Sequence, residues 1–389
     1  MPSIEKKILA WIEDHLVIFV VLAFTVAGVM VRLPLLKYVS GDIRYFLLPW
    51  YNQIKAVGVS QQVGNYNLMY QMLIWLLTKL PIEPMYGYKL ISILFDFPLA
   101  IAAAALVWKV AEKERLWKSV IAYGGVLLCP MVFLNSAAWA QCDGIYVFFA
   151  VSALAALLWD KPKTAMVLMG LSFTFKLQAV FLLPLFLFVY FRKQNFSVLT
   201  FLLIPLTMVI ATLPALAFGR SPLETFVLYG KQAAEYEWMS ANYPSFWLIL
   251  TGERVPEHYG WMHTPAILVT VGVLAVLMIC WLRKKVEITG KNTVLMAFLL
   301  AFTCVLFLPA MHERYGYLYE VLAIAIACIC PSTIPLCVAL LGVSVSTYGY
   351  YLFGIRVVNL NWLSVINVVI YIGYVLKLNK MLFASKDPE

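Results

Sequence analysis

Apolar runs of about 17–25 residues recur along the whole chain, separated mostly by short turns that carry Lys and Arg. A backbone inside a bilayer must satisfy its own hydrogen bonds, which leaves helices and closed barrels. The runs are continuous and do not alternate, so a barrel is excluded. Hydrophobic residues make up 63% of the chain and charged residues 13%, against about half and about a quarter in soluble domains. The expected class is an all-α polytopic membrane protein, a single integral domain over residues 1–389. The net charge of +9 does not point to a nucleic-acid partner, because the basic residues sit in turns between apolar runs and set topology.

Most of the 7 cysteines lie inside apolar runs (Cys280, Cys304, Cys328, Cys330, Cys337). No pair has metal spacing in a polar loop, so neither a disulfide framework nor a zinc site is indicated. Residues 1–15 are charged and amphipathic, and no small-residue cleavage site follows the first apolar run. A retained helix is expected there, not a signal peptide.

Spans are expected near 16–34, 86–110, 119–136, 145–159, 198–218, 264–282, 292–309, 315–330, 334–353 and 362–382. Two segments are ambiguous. Residues 68–80 are apolar but short, which suits an interfacial or re-entrant helix. Residues 164–191 read as one long helix or as two short ones meeting at Phe175-Lys176-Leu177-Gln178. If 68–80 does not cross and 164–191 crosses twice, every basic turn falls on the N-terminal side: Lys6 and Lys7, 109–118, Lys161 and Lys163, Arg192 and Lys193, 283–291, and Lys377 to Lys386. The positive-inside rule then gives about twelve spans with both termini cytoplasmic. It also gives two long extracytoplasmic loops, 35–85 with interfacial helices and 219–263. Asp42, Asp143, Lys176, Gln178, His312, Glu313 and Arg314 all come out on that outer face.

Each of these residues has a bland reading beside a chemical one. Asp42 follows Gly41 in a polar loop with Arg44, Tyr45, Trp50, Tyr51 and Asn52, and is either a turn or cap residue or a general base. Asp143, in Trp139-Ala140-Gln141-Cys142-Asp143-Gly144, suits a helix N-cap as well as a site edge. Lys176 either snorkels or is paired and functional. His312-Glu313-Arg314-Tyr315 holds a Glu-Arg pair that is either a salt bridge or part of an anion site, since an Arg fork matches phosphate oxygens. No second His follows at helical spacing, so this is not a zinc motif. Asp96 and Glu320 lie in apolar runs and are expected to be structural, paired with cations such as Lys89 or Arg314. His258 and His263 in the second loop are weak metal candidates. The aromatics of that loop, Tyr236, Trp238 and Trp247 beside Glu235, either stack on sugars or sit at the membrane interface.

A carboxylate on an outer loop can take a proton from an incoming hydroxyl, and nearby Arg and Lys can hold a phosphate as charge grows on it. A lipid-linked phosphosugar presents its phosphate at this depth. Nucleotide sugars are not available outside the cytoplasm, and the chain has no Asp-x-Asp pair to clamp a metal diphosphate.

The motifs Gly41-Asp42, Pro49-Trp50-Tyr51 and Asn65-Tyr66 come first in the chain. Trp139-Ala140-Gln141-Cys142-Asp143-Gly144-Ile145-Tyr146, Gly170-Leu171-Ser172-Phe173-Thr174-Phe175-Lys176-Leu177-Gln178 and Met311-His312-Glu313-Arg314-Tyr315 follow in order. In these the chain resembles the GT-C superfamily of membrane glycosyltransferases, in particular the bacterial family related to GPI mannosyltransferases. The resemblance implies a GT-C fold and inverting, single-displacement transfer of a hexose from a polyprenyl-phosphate sugar to a glycan or lipid-linked acceptor. It implies Asp42 as the base and Lys176, Arg314 and His312 as the phosphate holders. Gln141, Asp143, Gln178, Glu313, Arg44 and Tyr45 are candidates for acceptor, sugar or metal contacts. A divalent cation shared by Asp42 and Asp143 stays open, and neither sugar nor acceptor is specified. Ala140 departs from the family, which commonly has Gly there.

A transporter or flippase of lipid-linked glycans would suit the span count, but it should place polar groups near the midplane and often shows internal repeats. An acyltransferase would need a His inside the bundle, whereas His312 is expected at its edge.

Overall fold

The computed structural model describes residues 3–252 and 255–384; Lys386 of the last basic turn lies outside the described residues. An amphipathic helix α1 (Ser3–Asp14) leads into α2 (Leu16–Arg32). The first loop folds into α3 (Leu48–Val57) and α4 (Leu68–Leu77), and α5 (Pro84–Val110) follows. Next come α6 (Arg115–Leu127), the single turn α7 (Pro130–Phe133) and a π-helical turn over Leu134–Ala138. Helix α8 (Asp143–Leu158) packs against α5 and against α9 (Pro162–Phe175). Helices α10 (Leu183–Lys193) and α11 (Leu203–Leu216) precede the second long loop. That loop contains α12 (Pro222–Ala233) and α13 (Phe246–Thr251). The last five helices are α14 (Tyr259–Arg283), α15 (Gly290–Phe307), α16 (Tyr317–Ile329), α17 (Ile334–Phe353) and α18 (Leu360–Ala384).

Among the described residues, 7 helices are long and apolar enough to cross a membrane: α2 with its extension to Lys37, α5, α11 with the turn before it, α14, α15, α17 and α18. Helix α6 and the 130–138 segment, bent by 44°, add an eighth if they form one span. This is a multi-pass integral membrane protein. The other segments expected to cross are shorter, α8 with 16 residues, α9 with 14, α10 with 11 and α16 with 13. A straight span needs about 20. Within its most apolar window α15 is 83% buried and α2 only 11%. Helix α15 therefore runs through the bundle, while most of α2 is left for lipid.

The break inside 162–193 falls at Lys176. Its backbone is extended (φ −151, ψ 141), and a 3-10 turn over Leu177–Leu182 follows before α10. Pro184, which has no N–H to give to the turn before it, sits in the first turn of α10, where a helix start tolerates it.

Several expectations are corrected. The all-α class holds, with one short strand pair added: β1 (Ser240–Ala241) runs parallel to β2 (Met311–His312). The second long loop holds two helices and a strand, and the helix after it starts at Tyr259, before the expected 264. Asp96 does not pair with Lys89. Its Oδ2 accepts from Arg32 Nε at 2.9 Å and Nη2 at 2.7 Å. Lys89 Nζ instead donates to the carbonyls of Leu35, Leu36 and Tyr38 at 2.8, 2.8 and 2.6 Å, capping the end of the α2 extension. Among the described residues Glu320 has no cation partner; it is buried with its Oε2 unpaired.

Candidate functional site

Chain segments far apart in sequence converge around three carboxylates, Asp42, Asp143 and Glu313. The first carries Asp42. Ser40 Oγ accepts from the Ile43 amide at 3.2 Å, and a π-helical turn over Ile43–Leu47 begins directly after Asp42. Asp42 Oδ2 accepts from Trp139 Nε1 and Gln141 Nε2, each at 2.8 Å, and Oδ1 accepts from Tyr351 OH at 2.8 Å. The carboxylate is half-buried and held in one orientation by three donors. The Trp139 ring stacks on the Tyr351 ring at 4.5 Å, so the two side chains that hold Asp42 also hold each other.

The second carboxylate is Asp143. It is the first residue of α8, not its N-cap, which is Cys142, and so the expected capping role is not what holds it. It is fully buried. Lys176 Nζ donates to its Oδ1 at 2.6 Å, and Asn135 Nδ2 to its Oδ2 at 3.0 Å. The Arg314 Nε stands 3.6 Å from the same Oδ2. Lys176, where an apolar run breaks, is thus paired and does not snorkel.

The third segment is the turn after α15. Arg314 Nη1 donates to Glu313 Oε1 at 3.1 Å, so the salt bridge between sequence neighbours is real. The guanidinium also lies 5.2 Å from the centre of the Trp139 ring. Glu313 is buried and accepts from Asn242 Nδ2 at 3.1 Å. Burial alone would raise its carboxyl, but His312 and Arg314 outweigh that and hold it below the usual value. Burial likewise opposes the charge on Arg314, yet Asp143 and Glu313 overcome it and raise its pKa well above normal.

The strand pair brings the second loop to this cluster. The Tyr236 ring meets His312 edge to face at 4.5 Å, with Trp238 5.5 Å beyond. Burial pushes the Tyr236 hydroxyl up to about 12. Farther back, Gln232 Nε2 donates to Asn67 Oδ1 at 2.6 Å and Asn65 Nδ2 to Glu235 Oε1 at 3.0 Å, so the same stretch is tied to the first loop.

Asp42, Gln141, Asp143, Lys176, His312, Glu313 and Arg314 therefore come together. Arg44 and Tyr45 do not: both are exposed on the turn that leads away from Asp42. Gln178 is half-buried and takes no part in the hydrogen bonding of the cluster. The residues missed from the sequence are Asn135, Tyr351, Tyr348 and Asn242, neutral side chains with no pattern to mark them. Tyr348 OH accepts from Asn135 at 3.1 Å and is as buried as Asp143.

The donor set does not fit a shared divalent cation. Asp143 faces Lys176 and Arg314, whose charges would oppose a metal, and Asp42 is covered by three hydrogen-bond donors. Among the described residues no group of three His, Cys, Asp or Glu could hold a metal ion. His263 lies tilted against Tyr259 and His258 meets Trp261 edge to face, both at the start of α14. No protein-family model and no curated protein matches the chain.

Proposed function

We propose that the protein is a glycosyltransferase of the GT-C type that moves a hexose from a polyprenyl-phosphate sugar to a hydroxyl of a glycan or lipid-linked acceptor. The reaction would lie on the extracytoplasmic side of a bacterial plasma membrane, with both termini in the cytoplasm. The observation that carries the reading is the placement of Asp42 and Arg314 on the same indole, Asp42 at the Nε1 edge of Trp139 and Arg314 over its face.

In this reading Asp42 accepts the proton of the acceptor hydroxyl as its oxygen attacks the anomeric carbon. The bond from that carbon to the phosphate oxygen breaks, and the polyprenyl phosphate leaves with the electron pair. The Arg314 side chain is 16% exposed, with Nη1 on Glu313 Oε1 and Nε facing Asp143 Oδ2. Lys176 uses one of three donors on Asp143 and is 14% exposed. The exposed parts of these two cations would receive the phosphate, with His312 beside them. Three carboxylates face two permanent cations here, so directed hydrogen bonds and not surplus positive charge would hold the phosphate.

The test compares wild type with Asp42→Asn, purified in detergent with short-chain polyprenyl-phosphate hexoses and an acceptor extract. Loss of transfer with an unchanged melting temperature supports the reading. Full transfer by the variant removes Asp42 as base. Lipid translocation without transfer by the wild type favours a flippase.

A further inference from the structure

Behind the site, inside the bundle, Arg32 and Asp96 form an ion pair with 2% and 1% of their side chains exposed. An ion pair this deep in a membrane protein is expensive, and apolar residues of equal size often serve stability as well or better. Its hydrogen bonds indicate another use. Ser136 Oγ donates to the same Asp96 Oδ2 at 2.5 Å. Arg32 Nη1 donates to Leu127 O at 3.1 Å, at the end of α6. The pair thus grips both ends of the segment between α6 and the turn at Leu134–Ala138.

That turn is π-helical, a form seen mostly at functional positions. Its carbonyls hold the residues that hold the acids. Leu134 O accepts from the Trp139 amide at 2.9 Å, Asn135 O from Gln141 at 3.0 Å and Ser136 O from Ala140 at 3.2 Å. Trp139 and Gln141 fix Asp42, and the Asn135 side chain fixes Asp143. Asp96 also reaches the start of α8 directly. Its Oδ1 has no partner, and a Cβ built on Gly144 would stand 3.3 Å from it.

We propose that Arg32, Asp96 and Ser136 are positioning residues: through the Leu134–Ala138 turn they set the places of Asp42 and Asp143 without touching substrate. This rests on the glycosyltransferase reading for its catalytic consequence, but not for its structural one. Small misplacement of a reacting group lowers rate on the order of 100-fold.

The experiment uses the full-length protein in detergent with two variants, Arg32→Met/Asp96→Leu and Ser136→Ala. The first removes both charges together and leaves no unpaired ion. The second cuts only the link to the turn and serves if the first fails to fold. Transfer is measured with a polyprenyl-phosphate hexose, alongside melting temperature and N-ethylmaleimide labelling resolved by peptide mass mapping. Cys142, buried in the Trp139–Asp143 stretch, reports the turn; Cys304, buried in α15, reports the whole bundle.

The expected result is a kcat lowered about 100-fold in the double variant and about 10-fold in Ser136→Ala, with KM changed less than about threefold. Cys142 should label at least about fivefold faster while Cys304 and the melting temperature stay as in wild type. Wild-type kcat and Cys142 labelling in a folded double variant would overturn the proposal. Parallel acceleration of Cys142 and Cys304 would also overturn it, since the pair would then be holding the bundle and not the turn. If the wild type transfers no sugar while Cys142 alone responds, the glycosyltransferase reading fails and the control of the turn stands.

Discussion

The Lys176 ammonium lies 2.6 Å from Asp143 Oδ1, and the carboxylate it meets has no exposed surface. Lys176 ends one half-helix and Asp143 begins another, so the pair joins the two breaks in the bundle at one point. Breaking a buried pair from one side leaves a charge without compensation, which destabilises by about 3–5 kcal/mol. Asp143→Leu is therefore expected to unfold far more easily than Lys176→Met/Asp143→Leu, which removes both charges. Both should lose transfer. Thermal unfolding in detergent measures the first difference, and equal melting temperatures would show that the pair carries no buried charge.

Trp139 does two jobs that a single substitution separates. Trp139→Phe keeps a ring for Arg314 and Tyr351 but deletes the N–H to Asp42. One hydrogen bond to a charged group is worth about 1.5–3 kcal/mol, so a rate loss of roughly tenfold or more is expected. The bulk of the ring stays, so stability should fall much less than in Trp139→Ala, where loss of a buried Trp costs about 3–5 kcal/mol. Steady-state transfer and melting curves for the two variants check this. Equal activity in Trp139→Phe and wild type would remove the indole N–H from the argument.

Ala140, where the resembling family commonly has Gly, has φ +63. A side chain in this left-handed region costs about 1–2 kcal/mol, and Gly would relieve that but add chain entropy in the unfolded state. The two nearly cancel. Ala140→Gly should change stability by less than about 1 kcal/mol and leave transfer intact, whereas a β-branched residue such as Val at this site should destabilise strongly. Ala310, with φ +59, precedes Met311 and His312 in the same way. Both turns into the cluster thus carry backbone strain, and only the resemblance marked one of them, at Ala140.

How far the chain could be read follows from distance along it. The break at Lys176 was legible from the basic turns, which fall on one side only if residues 164–191 form two helices, but its partner Asp143 was not. The apolar runs likewise marked the long helices, but not the bend after α6. The partner of Asp96 was not legible, since Lys89 is close in sequence but seven residues away on one helix, about 10 Å along its axis. Arg32 arrives from a different helix. The donors on Asp42 come from residues 97, 99 and 309 positions away, and neutral Tyr351 gives no sign in a run of aromatic and apolar residues. Arg44 and Tyr45 were grouped with Asp42 by nearness in sequence, but the π-helical turn carries them outward.

Glu313 supplies a test by pH. Its burial raises the carboxyl and its neighbours His312 and Arg314 lower it further than burial raises it, so the folded value lies below the ordinary 4.5. A carboxylate whose pKa is depressed by folding contributes stability that is fully present above about pH 4.5. As pH falls through the folded value the proton binds, the Asn242 and Arg314 contacts lose their charged acceptor, and that stability is lost. Melting temperature measured from pH 6 down to pH 3 should therefore drop, and part of the drop should vanish in Glu313→Gln. The variant cannot gain or lose a proton at this position, so its curve should be flatter over the acid limb even though it starts lower. A wild-type curve and a Glu313→Gln curve of identical shape would mean that Glu313 binds its proton equally in the folded and unfolded chain, contrary to its placement between His312 and Arg314.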